Sequence, residues 1–285
     1  MLTSAFRLTN KILGQIGLGI QRVGPDFSAR LVDGPYVTEM CRRLGAAFDS
    51  WKSNQTLFES FAEFDTAAAV EQFYNAYLDS PFRTRQGGSR FNNMVLLYLM
   101  ARSIEPTTII DSGSFQGASA WALAQGAPKA TTVSFDIDMS RMLFAHPDVK
   151  FVEADWTTYD WSSVDMSNAL AYFDDHIDQV RRTLESSKAG VKVILFDDDL
   201  SLTAFPEMAH GGMAIPKIEF VFDPFLAGQD AISWLEGDRE RRWKVDHDYL
   251  KAAREVIEST DRLPDTSVIT GIHQLPYSVV KLRKL

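Results

Sequence analysis

From Thr107 onward the chain alternates short apolar runs, rich in β-branched or aromatic residues, with segments of helical character. The runs are TTIID, TTVSFDID, VKFVEAD, ALAYFDD and VKVILFDDD, and each closes on an acid. GASAWALAQGA and IDQVRRTLESSKAG are the helical segments between some of them. Strands alternating with helices predict a doubly wound, mostly parallel α/β sheet covered on both faces, with ligands bound outside the carboxyl ends of its strands. The pattern before this region is different. Residues 1–80 read as a helical segment broken by VGPD and VDGPY. Within it, Phe58, Phe61, Phe64, Val70, Phe73 and Tyr77 recur at helical intervals and predict one helix with a packed stripe. SPFRTRQGGSR reads as a loop and FNNMVLLYLMARSIE as a strongly apolar helix. After Ser201 the pattern predicts a loop with one strand-like piece, then a charged helix over DRERRWKVDHDYLKAAREVIEST. TSVITGIHQLPYSVVKLRKL predicts an antiparallel hairpin that completes the sheet. The division is therefore a helical segment, 1–80, and an α/β domain, 81–285, with an antiparallel last strand.

Charge and cysteine content narrow the class. A net charge of −9 over 285 residues argues against a nucleic-acid partner, which needs a basic surface. The single Cys41 excludes an internal disulfide framework and fits a reducing, cytoplasmic setting. No apolar run reaches the roughly 18–20 residues that span a bilayer. The first 25 residues carry Arg7, Lys11 and Arg22 and no acid, with Leu2, Phe6, Leu13, Ile16 and Ile20 near helical spacing. Such a helix packs on its own domain or a second subunit, or lies weakly on a membrane surface. The aromatic stripe from Phe58 to Tyr77 offers either a core face or a homodimer contact.

Three successive strand ends carry candidate ligand chemistry. In IIDSGSFQGASA, Asp111 ends a strand, Gly113 and Gly117 lie in the turn, and a helix begins near Ala118. Glycines let the backbone curl and approach a ligand, and free N–H groups at a helix start favour a carboxylate or phosphate. A simple strand-to-helix turn would also use them. The G-x-G-x-x-G spacing of nicotinamide sites is not met. Asp136, closing the next strand, can accept both hydroxyls of a ribose. Asp155 can meet an adenine amino group, with Trp156 beside its face.

The fourth and fifth strands end in ALAYFDDHIDQ and VKVILFDDDLS. Carboxylates that converge in a cleft protonate unless a cation compensates them. All-oxygen ligation favours Mg²⁺ over Mn²⁺ or Ca²⁺, and no Cys–His spacing suggests zinc. Alternate strand residues face opposite ways, so the five aspartates cannot all converge, and Asp175 and Asp199 are set aside. Solvated strand-end acids without metal are the alternative.

Residues from about 85 to 285 resemble the class I S-adenosylmethionine-dependent methyltransferases. DSGSFQGASA is similar to the E-x-G-x-Y-x-G-x-S turn of catechol O-methyltransferase-like enzymes, and also to that of macrocin O-methyltransferase-type sugar enzymes. The resemblance implies that Asp111, Gly113 and Ser119, with Ser114, Phe115 and Gly117 of the same turn, meet the methionine end of the cofactor. It assigns the ribose to Asp136, the adenine to Asp155 and Trp156, and a divalent cation to Asp174, Asp197 and Asp198. The activity implied is methyl transfer to a hydroxyl of a small-molecule or sugar-like acceptor. His176, two residues past Asp174, is the base candidate among His146, His176, His210, His247 and His273. Ile177 stands where catechol enzymes carry a lysine, which speaks against their mechanism, whereas D-D-H is a shortened form of the sugar-type D-x-D-H. AHGGMAIP reads as a lid, and Arg83, Arg85 or Arg90 as partners for an anionic substrate group. Two other functions stay open. One is a cephalosporin hydroxylase-like oxygenase, which needs two histidines and a carboxylate for iron; the other is a non-catalytic cofactor-binding relative.

Overall fold

A computed structural model describes residues 25–27, 34–58, 61–84, 87–208, 214–236 and 238–283. The basic N-terminal helix, Arg85, His210 and most of the Gly-rich lid lie outside them.

Helix α1 (Pro35–Asn54) starts on a proline, and α2 (Thr66–Asp79) starts where the Asp65 side chain accepts from the Ala68 N–H. That cap starts the helix late in the stripe: Phe61 to Asp65 lie outside any helix, and only the second half of the aromatic stripe is helical. The stripe faces inward. Val70, Phe73 and Tyr77 are buried, and Phe58, Phe61 and Phe64 pack against the same core. At Gly45 of α1, a methyl group would sit 2.9 Å from the Ala67 nitrogen, so glycine permits the two helices to touch. Helix α3 (Phe91–Ile104) is apolar all round and almost wholly buried.

The sheet follows. Strands β1 (Thr108–Ser112), β2 (Thr131–Asp136), β3 (Val149–Glu153), β4 (Ala169–Phe173) and β5 (Val193–Phe196) are parallel where they pair. Helix α4 (Ala118–Gly126) connects β1 to β2, and α5 (Gln179–Ala189) connects β4 to β5. Beyond β5 come two one-turn helices, α6 (Phe205–Met208) and α7 (Ile218–Phe222), in place of the expected strand-like piece. A hairpin of β6 (Ala231–Glu236) and β7 (Arg239–Lys244), helix α8 (His247–Val256), strand β8 (Ile257–Arg262), the turn α9 (Ser267–Thr270) and strand β9 (Ser278–Leu282) complete the chain. The order across the large sheet is β3-β2-β1-β4-β5-β9-β8, with β9 antiparallel to both neighbours.

Side chains alternate between two cores, as a pleated sheet requires. Ile109, Leu170, Leu195 and Val279 join α1 to α4 on one face. Ile110, Ala171, Ile194 and Val280 join α5, α7 and α8 on the other. The helices of residues 35–79 thus share a core with the sheet.

Two expected elements differ. RERRWK, read as helix, is a strand because Trp243 and, on the neighbouring strand, Trp234 anchor the hairpin against Phe220 of α7 and Phe205 of α6, at 5.8 and 5.5 Å between ring centres. This aromatic packing outweighs the helix preference of Arg and Glu. The terminal hairpin is also re-partnered: β9 pairs with β8, while SVIT closes as a single helical turn at Gly271. Among the described residues no helix is long and apolar enough to cross a membrane.

Candidate functional site

The turn after β1 is laced onto β2. The Gly113 and Ser114 N–H groups both donate to the Phe135 carbonyl, at 2.9 and 3.0 Å. Asp136 then accepts from the Phe115 N–H at 2.7 Å and from the Asp138 N–H at 3.1 Å. Gly113 has φ 102° and Gly117 has φ 88°, values that side chains with a Cβ resist. A cavity of about 540 Å³ opens above these strand ends. Gly113, Phe115, Asp136, Asp155, Asp174, His176, Asp197 and Asp198 border it.

Not every expected residue reaches this space. Asp111, Ser114 and Ser119 are buried beneath the turn and do not border the cavity, nor does Gly117, which is packed against the Phe144 carbonyl and the Met142 sulfur. Asp111 accepts from Ser134, which also lies 2.5 Å from Ser114, and its other oxygen has no hydrogen-bond partner. Burial pushes its carboxyl up to about 6, against the opposing bonds of Ser134 and Ser119. An acid whose folded pKa is raised stabilises the fold below its unfolded pKa, near 3.8, and loses that contribution as pH climbs through 6. The wild-type chain should therefore lose about 3 kcal/mol from this group between pH 4 and 7. Asp111→Asn should remove that slope in urea denaturation series; parallel pH profiles for the two proteins would contradict it.

Trp156 corrects another expectation. Its indole is only 1% exposed and packs under the sheet end, 5.6 Å from the Phe173 ring, and so leaves the cavity to others. The apolar wall belongs instead to Phe115, Leu275 and Ile137, the last 83% exposed. Ile137 stands between the acids of FDID, where an isolated apolar residue in a polar turn carries no period to mark it in the sequence.

Asp155 borders the cavity but already has partners. Burial alone would raise its carboxyl; Arg182 at 2.7 Å and Thr157 outweigh that and hold it at about 2. Arg182, 2% exposed, also bonds Asp175 at 2.8 Å and Glu185 at 2.7 Å, while Asp175 takes the Ser112 hydroxyl at 2.7 Å. Asp175 is thus committed to a buried ion pair tying β4 to α5. Of the arginines proposed for substrate, Arg83 donates to the Asp26 and Phe27 carbonyls and Arg90 pairs with the Asp26 carboxylate. Arg141 is the arginine that borders the cavity along with Arg182, its guanidinium 5.8 Å from the Phe115 ring centre.

The two acidic strand ends do meet. Asp174, Asp197 and Asp198 surround a small void of about 10 Å³ with His176 and Lys217. The Asp197 N–H donates to the Phe173 carbonyl, and its side chain accepts from Tyr172 at 3.3 Å and from the Asp198 N–H at 2.8 Å. Burial raises the Asp174 and Asp197 carboxyls well above the ordinary range, and the charge of the neighbouring aspartates raises them further. Burial also raises Asp198, while Lys217, His176 and His273 pull it back. Asp198 sits at φ 53°, and its Oδ1 is buried with no hydrogen-bond partner. Asp199 turns to the opposite side, where it accepts from Ser278 and from the Glu219 N–H and borders a second cleft of about 530 Å³. Among the described residues no group of three His, Cys, Asp or Glu side chains stands ready to hold a metal ion. His176 has φ 57° and a half-exposed ring, with Nε2 3.9 Å from Asp174 Oδ1.

A parallel sheet in this order, closed by one antiparallel strand inserted between β5 and β8, decides the architecture. It is a Rossmann-like, doubly wound fold with an antiparallel last strand. No protein-family model matches the chain, and no curated protein matches its sequence. Solved structures to which the chain is similar include one described as "cmcI-D160 Mg-SAM", 13% identical over 96% of this chain and 95% of that one, with a TM-score of 0.43. TomG, an O-methyltransferase from Streptomyces achromogenes in complex with SAM, is 14% identical over 85% of this chain and 97% of its own, at a TM-score of 0.38. A putative caffeoyl-CoA O-methyltransferase from Staphylococcus aureus is 11% identical over 84% and 99%, also at 0.38. The cavity occupies the carboxyl ends of the central strands, where open α/β sheets bind their ligands.

Proposed function

We propose that this chain is an S-adenosylmethionine-dependent O-methyltransferase that methylates a hydroxyl of a small-molecule or sugar-like acceptor, assisted by a divalent cation, Mg²⁺ first. The observation that carries the reading is the cavity over the strand ends, where a glycine turn, a ribose-type acid at Asp136 and an acidic cluster converge in one space. Gly113 admits the methionine end, Asp136 receives the ribose hydroxyls, and Ile137 and Phe115 flank the adenine. Asp155, held ionised by Arg182, accepts from the adenine amino group.

The residues present fit a hard cation by chemistry. Asp174, Asp197 and Asp198 are oxygen donors that burial and mutual repulsion make costly to ionise unaided, and the Asp198 Oδ1 is a buried acceptor with nothing to accept. When bound, the ion would neutralise these carboxylates and polarise the acceptor oxygen. His176, beside Asp174 and open to the cavity, takes the hydroxyl proton as the acceptor oxygen attacks the methyl carbon and the thioether leaves. The rest of the rate comes from holding donor and acceptor in line. The lone Cys41, free and buried, accords with a reducing cytoplasmic setting, and the acidic surface with a partner other than nucleic acid.

An oxygenase is the second reading, and it needs two imidazoles and a carboxylate; His176 and His273 both act on the Asp198 carboxyl, but among the described residues no such set of three gathers. Transfer of labelled methyl from S-adenosylmethionine to a panel of hydroxyl acceptors, with Mg²⁺ or with chelator, tests the first reading. Metal-stimulated label in an acceptor is expected. Cofactor uptake without label under any condition would leave a non-catalytic binder, and Fe(II)-dependent oxygen consumption would favour the oxygenase. His176→Ala should keep cofactor affinity within about twofold while turnover falls about 10²–10⁴-fold. Full turnover in that variant would remove His176 from the base role.

A further inference from the structure

The acidic cluster already has a cation beside it that the sequence pattern did not reveal. Lys217 sits just before α7, 18 to 20 residues past the aspartates that follow β5, yet it borders the same small void as Asp174, Asp197 and Asp198. Its residue is 3% exposed, and among the described residues its ammonium makes no hydrogen bond and no ion pair. Lysine is almost never this deeply buried without compensation. Burial pulls its ammonium down, and Asp198, Asp199, Asp197 and Asp174, in that order of effect, hold it up.

The backbone around Lys217 is pinned in place by one buried side chain. The Gln179 amide donates to the Asp197 carbonyl at 2.8 Å and accepts from the Ile218 N–H at 2.8 Å. The Gln179 N–H also donates to the Pro216 carbonyl at 3.1 Å. Residues on both sides of Lys217 are therefore tied, through Gln179, to the strand end that carries Asp197. Chance burial of a flexible lysine would not need such a clamp.

We propose that Lys217 is the resident cation of this cluster, neutralising the three carboxylates in the metal-free chain and opposing a divalent ion that enters among them. The second half rests on the reading of the cluster as a metal site given above; the first does not. Two positive groups near one void repel, so the lysine sets how tightly the ion is held. It also explains how carboxylates this crowded are tolerated before any ion binds.

Chelator-treated full-length protein provides the test, by calorimetric titration of MgCl₂ and MnCl₂ and by thermal denaturation without metal. Lys217→Met is expected to bind Mg²⁺ at least tenfold more tightly than wild type. Without metal it should melt about 4 °C or more below wild type. Adding Asp198→Asn to Lys217→Met should restore the melting temperature, and Lys217→Arg should keep both wild-type values, which separates charge from packing. A metal-free Lys217→Met protein that melts at or above wild type overturns the proposal. Metal uptake that is unchanged or weaker in that variant overturns the competition. If neither wild type nor Lys217→Met takes up an ion while the melting loss and its rescue appear, Lys217 stands as the resident cation and the metal reading falls.

Discussion

Gly113→Ala is expected to abolish cofactor binding and to destabilise the chain more than any other single-methyl change in the site. A Cβ at Gly113 would lie 2.3 Å from the Asp174 carbonyl oxygen, 2.5 Å from its carbon and 3.0 Å from the Asp175 nitrogen. All three are backbone atoms at the end of β4, so no side chain can swing aside. The glycine also holds φ 102°, which alanine adopts only with strain. Strain and clash together should cost about 3–5 kcal/mol. The only relief is to push β4 away from β1, which carries Asp174 and Asp175 out of register with Asp197 and breaks the cavity wall. Calorimetry with S-adenosylhomocysteine should show at least a hundredfold loss of affinity, and denaturant titration should show the lost stability. A variant that binds normally and melts normally would mean that the β1 turn and the β4 end are not packed this closely.

Asp197→Asn should separate stability from function. Asp197 stands between Asp174 and Asp198, and burial with their charges keeps its carboxyl well above the ordinary range. Such an acid stabilises the fold only while protonated, so at neutral pH it works against it. Asparagine keeps the Oδ1 that accepts from the Asp198 N–H and removes the charge. The metal-free variant should therefore be about 1–2 kcal/mol more stable than wild type at pH 7.5. It should also lose the stabilisation conferred by Mg²⁺ and at least about a hundredfold in turnover. A less stable variant with an unchanged Mg²⁺ response would place the ion elsewhere.

The sheet was readable because its signal is local and repeated. Each β-rich run ends in an acid, and runs such as ALAYF and VILF are buried on both faces, which leaves little ambiguity. The positions of Gly113, Asp136, Asp174, Asp197 and Asp198 at strand ends followed from that register. What was not readable depended on partners distant in sequence. RERRWK became a strand through Trp234 and Phe220, and β9 chose β8 over the adjoining TSVIT. Asp111 belongs to the right strand end but faces into the core, because one step along a strand reverses the direction of a side chain, and Trp156 opens a tight helical turn, Trp156–Thr158, that packs its ring inward. Arg182, Lys217 and His273 carry no spacing relative to the motif; folding alone brings them to it. Arg83 and Arg90, read as substrate partners from their loop, are occupied by the Asp26 segment before it.

The claim on which the rest depends is that a sulfonium cofactor lies over the strand ends with its ribose on Asp136. Calorimetric titration of S-adenosylhomocysteine into wild type and Asp136→Asn tests it most directly. One-to-one binding to wild type and about ten- to hundredfold weaker binding to the variant are expected. No heat with wild type, or equal affinity in the two proteins, would contradict it.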